Sequence, residues 1–147
     1  MEKIKKRIIT LTIIILLGLS FSFYIFIKYN QKPNIEQNQV IEIIDGDTFI
    51  LASGEKVRLI CIDSPEINTK GYSEAKEFLS FLILNKQVRL EADIINKDKY
   101  QRLLRYVYVN DSKNNEIFVN KEIVKQGYAE LFPYENNTKR CNEIAGN

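Results

Sequence analysis

Two short acid-tipped strands, set close together, constrain this chain more than any other feature. Ile44-Asp45-Gly46-Asp47-Thr48 is an Asp-Gly turn between extended runs at residues 40–44 and 49–51. Val57-Arg58-Leu59-Ile60-Cys61-Ile62-Asp63-Ser64-Pro65-Glu66 is a further strand that also ends on a carboxylate. A fold that sets these two ends side by side offers Asp47 and Asp63 to one hard divalent cation, with the backbone carbonyl of Ser64 as a neutral third ligand. An Asp-Gly turn alone would mean little. Downstream, however, Asp98-Lys99-Tyr100-Gln101-Arg102 adds a second arginine to Arg58. Planar guanidinium forks match phosphoryl oxygens. Paired acids and paired arginines therefore suit phosphodiester hydrolysis, which needs an aimed water, neutralised phosphoryl charge and a supported leaving group.

The motifs DGDT, VRLICIDSPE and DKYQR, in this order and spacing, resemble the staphylococcal nuclease family from about residue 40 to about residue 137. The resemblance implies an α+β, mainly β domain: a five-stranded OB-type Greek-key barrel with two to three helices. It also implies a calcium-dependent nuclease acting on DNA and RNA with little sequence preference. Asp47, Asp63 and Ser64 would then hold Ca2+, Arg58 and Arg102 would clamp the phosphoryl group, and Glu66 would position or deprotonate the attacking water. Lys99 and Tyr100 match positions that touch a terminal phosphate, and Tyr134 falls where family tyrosines stack on a base, in a segment at 131–137 that is shorter here. Asp45 reads as a turn residue. In the family fold the regions of Cys61 and Cys141 lie near each other, which implies a disulfide; the alternative is two independent thiols, with Cys61 a small core residue. Two departures stand out. Gln101 replaces the usual glycine, which would strain its loop, and the chain ends at Asn147, where a long carboxy-terminal helix would be starting, at a cost in stability.

Composition narrows the chemistry. The chain has no histidine and no tryptophan. The commonest general base and the commonest transition-metal ligand are thus absent, leaving carboxylates, arginines and a hard cation. Residues 1–35 carry six basic side chains against Glu2, so with a chain total of +2 the remainder is near −3. Long-range attraction of nucleic acid is therefore weak, and phosphate affinity has to be local.

Residues 8–27 form an uncharged run of 20, long enough to span ~30 Å of hydrocarbon as a helix. Lys3, Lys5, Lys6 and Arg7 precede it within the basic segment 1–7, which the positive-inside bias keeps cytoplasmic, sending the domain at 40–147 outside. The competing expectation is a cleaved signal peptide with Ser20 and Ser22 near its end. Phe23-Tyr24-Ile25-Phe26-Ile27 extends the apolar stretch past a typical signal core and favours an anchor. Residues 28–39, polar and containing Pro33, read as a linker. The protein is expected to be a monomer tethered through residues 8–27, or else secreted.

Within the domain, residues 40–44, 49–51 and 56–62 predict a three-stranded meander, and residues 72–84 a helix capped by Ser73 with Ala75, Phe78, Leu79, Leu82 and Ile83 on one side. Period-two patterning predicts strands at 88–92 and 103–109, then a turn at Asn110-Asp111. Residues 119–126 predict a short helix closed by a left-handed Gly127, before an extended piece at 128–132. Two other expectations compete with an enzyme. One is a noncatalytic OB module that binds nucleic acid, disfavoured because the acidic and arginine positions are all present. The other is a shortened copy that folds poorly.

Overall fold

The computed structural model describes residues 18, 20–23, 37–134 and 136–146. Most of the membrane span expected at 8–27 and most of the linker expected at 28–39 lie outside these residues. Among the described residues, no helix is long and apolar enough to cross a membrane. The unit treated below falls within Ile35–Asn147.

Three strands open it: β1 (Val40–Ile43), β2 (Thr48–Leu51) and β3 (Lys56–Leu59), paired antiparallel in succession. A two-residue strand β4 (Ile62–Asp63) follows, then helix α1 (Tyr72–Ile83), β5 (Val88–Glu91) and the long β6 (Leu103–Asn110). After these come β7 (Glu116–Phe118), α2 (Val119–Lys125), β8 (Glu130–Leu131) and α3 (Cys141–Ile144). The main sheet runs β1-β2-β3-β6-β5, with β3 and β6 parallel and β7 added on β6. It closes on itself. Gln39 bridges Gln87, the Val40 amide donates to the Lys86 carbonyl at 3.0 Å, and the Val88 amide to the Asn38 carbonyl at 3.2 Å. Closure removes the free edges of β1 and β5 and makes the five strands an OB-type barrel.

The core includes Val40, Phe49, Leu51, Val57, Leu59, Tyr106 and Val107, and α1 contributes Ala75, Leu79, Leu82 and Ile83 to it. Phe78, expected on the same face, is only half-buried and stacks on Tyr128 with ring centroids 4.4 Å apart. The helix is not capped by Ser73. Gly71, at φ 91, takes the N-cap without any side-chain bond, because the chain turns in from the Pro65 loop in a left-handed conformation. Gly127 does close α2 in the left-handed region at φ 78, with its amide on the Val124 carbonyl.

Two features depart from the strand pattern. The strand expected over 56–62 breaks at Ile60–Cys61, where Cys61 adopts φ 62. Buried Asn120 explains how the break is tolerated: its amide nitrogen donates to the Ile60 carbonyl at 2.9 Å, while its oxygen accepts the Val107 amide at 2.9 Å. A side chain from α2 thus satisfies backbone groups that a continuous ladder would have paired. The second departure is β7, three residues without a readable period, which forms because the 111–115 turn returns the chain beside β6.

Candidate active site

The Asp-Gly turn is a tight loop held by its own groups. The Ile44 amide donates to the Thr48 carbonyl at 2.9 Å, and the Asp47 amide to Asp45 Oδ1 at 3.0 Å. Asp45 therefore serves the turn, as expected. Burial, and then the charge of Asp47, push its pKa up. Gly46 lets the loop press against its surroundings: a Cβ there would lie 2.6 Å from Ala75 Cβ and 2.7 Å from Ser64 Cβ. That close approach carries Asp47 to the start of the Ser64 loop, where its Oδ2 accepts the Ser64 amide at 2.8 Å.

Arg58, on β3, gathers the two acidic ends. Its Nε lies 3.0 Å from Asp47 Oδ1 and its Nη2 donates to Asp63 Oδ1 at 2.8 Å. Its Nη1 donates to the carbonyls of Leu59 and Ile62 at 2.6 and 2.7 Å. One guanidinium therefore touches both carboxylates and spans the break at Ile60–Cys61. Asp47 is buried, whereas the Asp63 side chain is 49% exposed and its Oδ2 has no partner among the described residues.

Arg102 approaches from the 98–102 loop. Its Nε donates to Asp98 Oδ2 at 2.7 Å, and its Nη1 lies 3.4 Å from Thr48 Oγ1, which in turn donates to Asp47 Oδ1 at 2.9 Å. A single hydroxyl thus separates the second arginine from the buried aspartate. Burial opposes the charge of Asp98, but bonds from Arg102 and from the loop amides outweigh it and hold its pKa below the ordinary value. Gln101 sits at φ 65, so the position where glycine was expected is indeed left-handed here, and a side chain is strained in it.

Arg58 and Arg102 line one cavity of about 440 Å³ together with Lys99, Tyr100, Phe132 and Tyr134, over a floor that includes Leu59 and Leu104. Tyr100 is exposed, with Lys99 Nζ 5.0 Å and Arg102 5.4 Å from its ring centre. Phe132 and Tyr134 form an aromatic wall of the cavity with near-parallel rings 6.3 Å apart. This wall is fastened to the barrel: Asn137, also lining the cavity, exchanges two hydrogen bonds with the Ile95 peptide groups, and Cys61 and Cys141 form a disulfide with Cα atoms 5.5 Å apart. Glu66 stands apart. It is exposed beyond Pro65, is not among the cavity-lining residues, and its carboxylate has no partner among the described residues.

Among the described residues, no cluster of three or more histidine, cysteine or acidic side chains forms a metal cage. A cation would therefore rest on Asp47, Asp63 and the Ser64 carbonyl, completed by water and substrate. All three are hard oxygens, which fits calcium chemistry. Sequence reasoning missed Thr48, Asp98, Phe132 and Asn137. Asp98 had a readable signal: an aspartate two and four residues ahead of loop amides is a turn-former.

A family model described as staphylococcal nuclease homologue matches residues 56–146, and the chain belongs to that family. It is 38% identical over 123 residues to a thermonuclease of Staphylococcus intermedius, covering 78% of this chain and 70% of that one. A thermonuclease of Staphylococcus hyicus is 37% identical over 117 residues, covering 74% and 66%. An uncharacterized protein of Methanocaldococcus jannaschii is 34% identical over 141 residues, covering 77% and 67%.

Proposed function

We propose that this protein is a calcium-dependent nuclease that hydrolyses phosphodiester bonds of DNA and RNA with little sequence preference. The observation that carries this reading is the convergence of Asp47 and Asp63 on Arg58, which lines one cavity together with Arg102. Family membership and relatives named thermonuclease support it. Asp47, Asp63 and the Ser64 carbonyl would hold Ca2+, which when bound would act as a Lewis acid toward the phosphoryl oxygens and the attacking water.

The chain's own groups account for the rest. Arg58 and Arg102 present N–H donors where negative charge grows on the phosphoryl oxygens. They are fixed before substrate arrives, so little reorganisation is needed. Glu66, with its carboxylate unengaged, orients or deprotonates water. Lys99 and Tyr100 receive a neighbouring phosphate at the rim, while Phe132 and Tyr134 offer ring faces to a base, a contact indifferent to base identity.

Denatured DNA incubated with the full chain should be cut in calcium and left intact in excess chelator. Undiminished cleavage in chelator would remove the cation from the mechanism, and binding without cleavage in calcium would identify a noncatalytic module. The reading extends to location: residues 8–27 anchor the protein with the domain outside the cytoplasm. Full-length protein should stay with membranes through an alkaline wash, with the domain open to protease added outside intact cells. A shortened soluble product would instead indicate a cleaved signal peptide.

A further inference from the structure

We infer that Asp98 is a positioning residue for phosphodiester hydrolysis, setting the guanidinium of Arg102 so that a single N–H edge faces the substrate. The inference rests on the nuclease reading above and names a residue that reading does not use. One carboxylate does three things at once. Oδ1 accepts the amides of Tyr100 at 2.9 Å and Arg102 at 3.0 Å, and Oδ2 accepts Arg102 Nε at 2.7 Å. The backbone completes the ring: the Asp98 amide donates to the Arg102 carbonyl at 3.1 Å, and the Gln101 amide to the Asp98 carbonyl at 3.0 Å. The Asp98 side chain is 11% exposed and that of Arg102 26%, so water competes weakly for their contact.

The consequence for Arg102 is geometric. Nε is committed to Asp98, and Nη1 faces Thr48 Oγ1. Among the described residues, Nη2 has no partner. An arginine free at the end of its stem samples many rotamers, and ordering it would have to be met during catalysis. Asp98 and Thr48 set it beforehand, and preorganised donors are the ones that lower a barrier. The two oxygens divide the labour: Oδ1 shapes the loop and Oδ2 aims the arginine.

This division makes Asp98→Asn informative. Its amide oxygen can keep the two loop bonds, while its NH2 group replaces the acceptor for Arg102 Nε. In the full chain with calcium and denatured DNA, D98N should lower kcat by ~10–100-fold with KM changed less than about threefold, the pattern of a lost transition-state contact. The Arg102 Nε–H signal in a proton–nitrogen NMR spectrum, assigned by its loss in R102K, should shift in D98N. In an R102K background, D98N should add little further loss. If D98N melts below the assay temperature, Asp98→Ser replaces it, since its hydroxyl can accept a loop amide but is too short to reach Nε. Wild-type kcat in D98N, or an equal loss in both backgrounds, would overturn the positioning role while leaving the nuclease reading intact. A wild-type chain that cleaves nothing in calcium would overturn both.

Discussion

At the scale of residues, Arg58 has the most demanding position. It contacts two carboxylates and two carbonyls through its three nitrogens, a set that a lysine ammonium, a compact point charge, cannot reproduce. Arg58→Lys should therefore lower turnover of denatured DNA by at least ~10²-fold, which steady-state kinetics would measure. A near-wild-type rate would remove Arg58 from the phosphoryl clamp. Gln101 shows the limit of residue-level argument. Its departure from glycine was visible as a letter, and the strain it implies is seen as φ 65, yet the loop keeps its shape because Asp98 holds it from three sides.

Between elements, an electrostatic clasp centred on Glu91 joins β5 to the approach to α3. Glu91 accepts from Lys139 Nζ at 2.8 Å, from Arg140 Nη2 and Nε at 3.3 Å each, and from Tyr108 at 3.2 Å. The Lys139 bond, and then Arg140, outweigh burial and lower its pKa from 4.5 to about 2. A pKa depressed by folding gives stability that is whole above the unfolded value and fades as pH falls through the folded one. The Glu91 contribution should thus be complete above about pH 4.5 and lost toward pH 2. Glu91→Gln should melt at a lower temperature than wild type at neutral pH, with the difference closing across that window. Thermal melts of both proteins between pH 2 and 7 would check it; a gap independent of pH would mean that packing, not charge, is lost.

For the whole molecule, the disulfide decides how firmly the last segment is held. Cys61 and Cys141 are 80 residues apart in sequence, and closing such a loop stabilises by ~4 kcal/mol on the chain-entropy model. Reduction should lower the melting temperature while cleavage persists below the new midpoint, since no sulfur takes part in the chemistry. Thiol titration of the protein under denaturing conditions, paired with melts with and without reductant, tests this; two free thiols would remove the staple. The sequence by itself determined whatever depends on short range. The DGDT turn, the helix over 72–84, Gly127 as a left-handed stop and the five barrel strands were legible because local hydrogen-bonding demands and side-chain period act within a few residues. Asp47, Asp63, Arg58 and Arg102 were legible because their motifs kept the spacing. Only the tertiary structure decided the rest. The break at Ile60–Cys61 depends on Asn120, which is 60 residues away from Ile60 in sequence, and the strand β7 exists only because β6 is there to pair with it. The aromatic wall of the cavity is held by the bonds of Asn137 to Ile95, 42 residues apart, and the aim of Arg102 depends on both its own loop and Thr48 on β2. Apart from the β6–β7 return and the Asp98 bond to Arg102, these join groups distant in sequence, and no local period encodes a contact whose second partner is supplied only by the folded barrel.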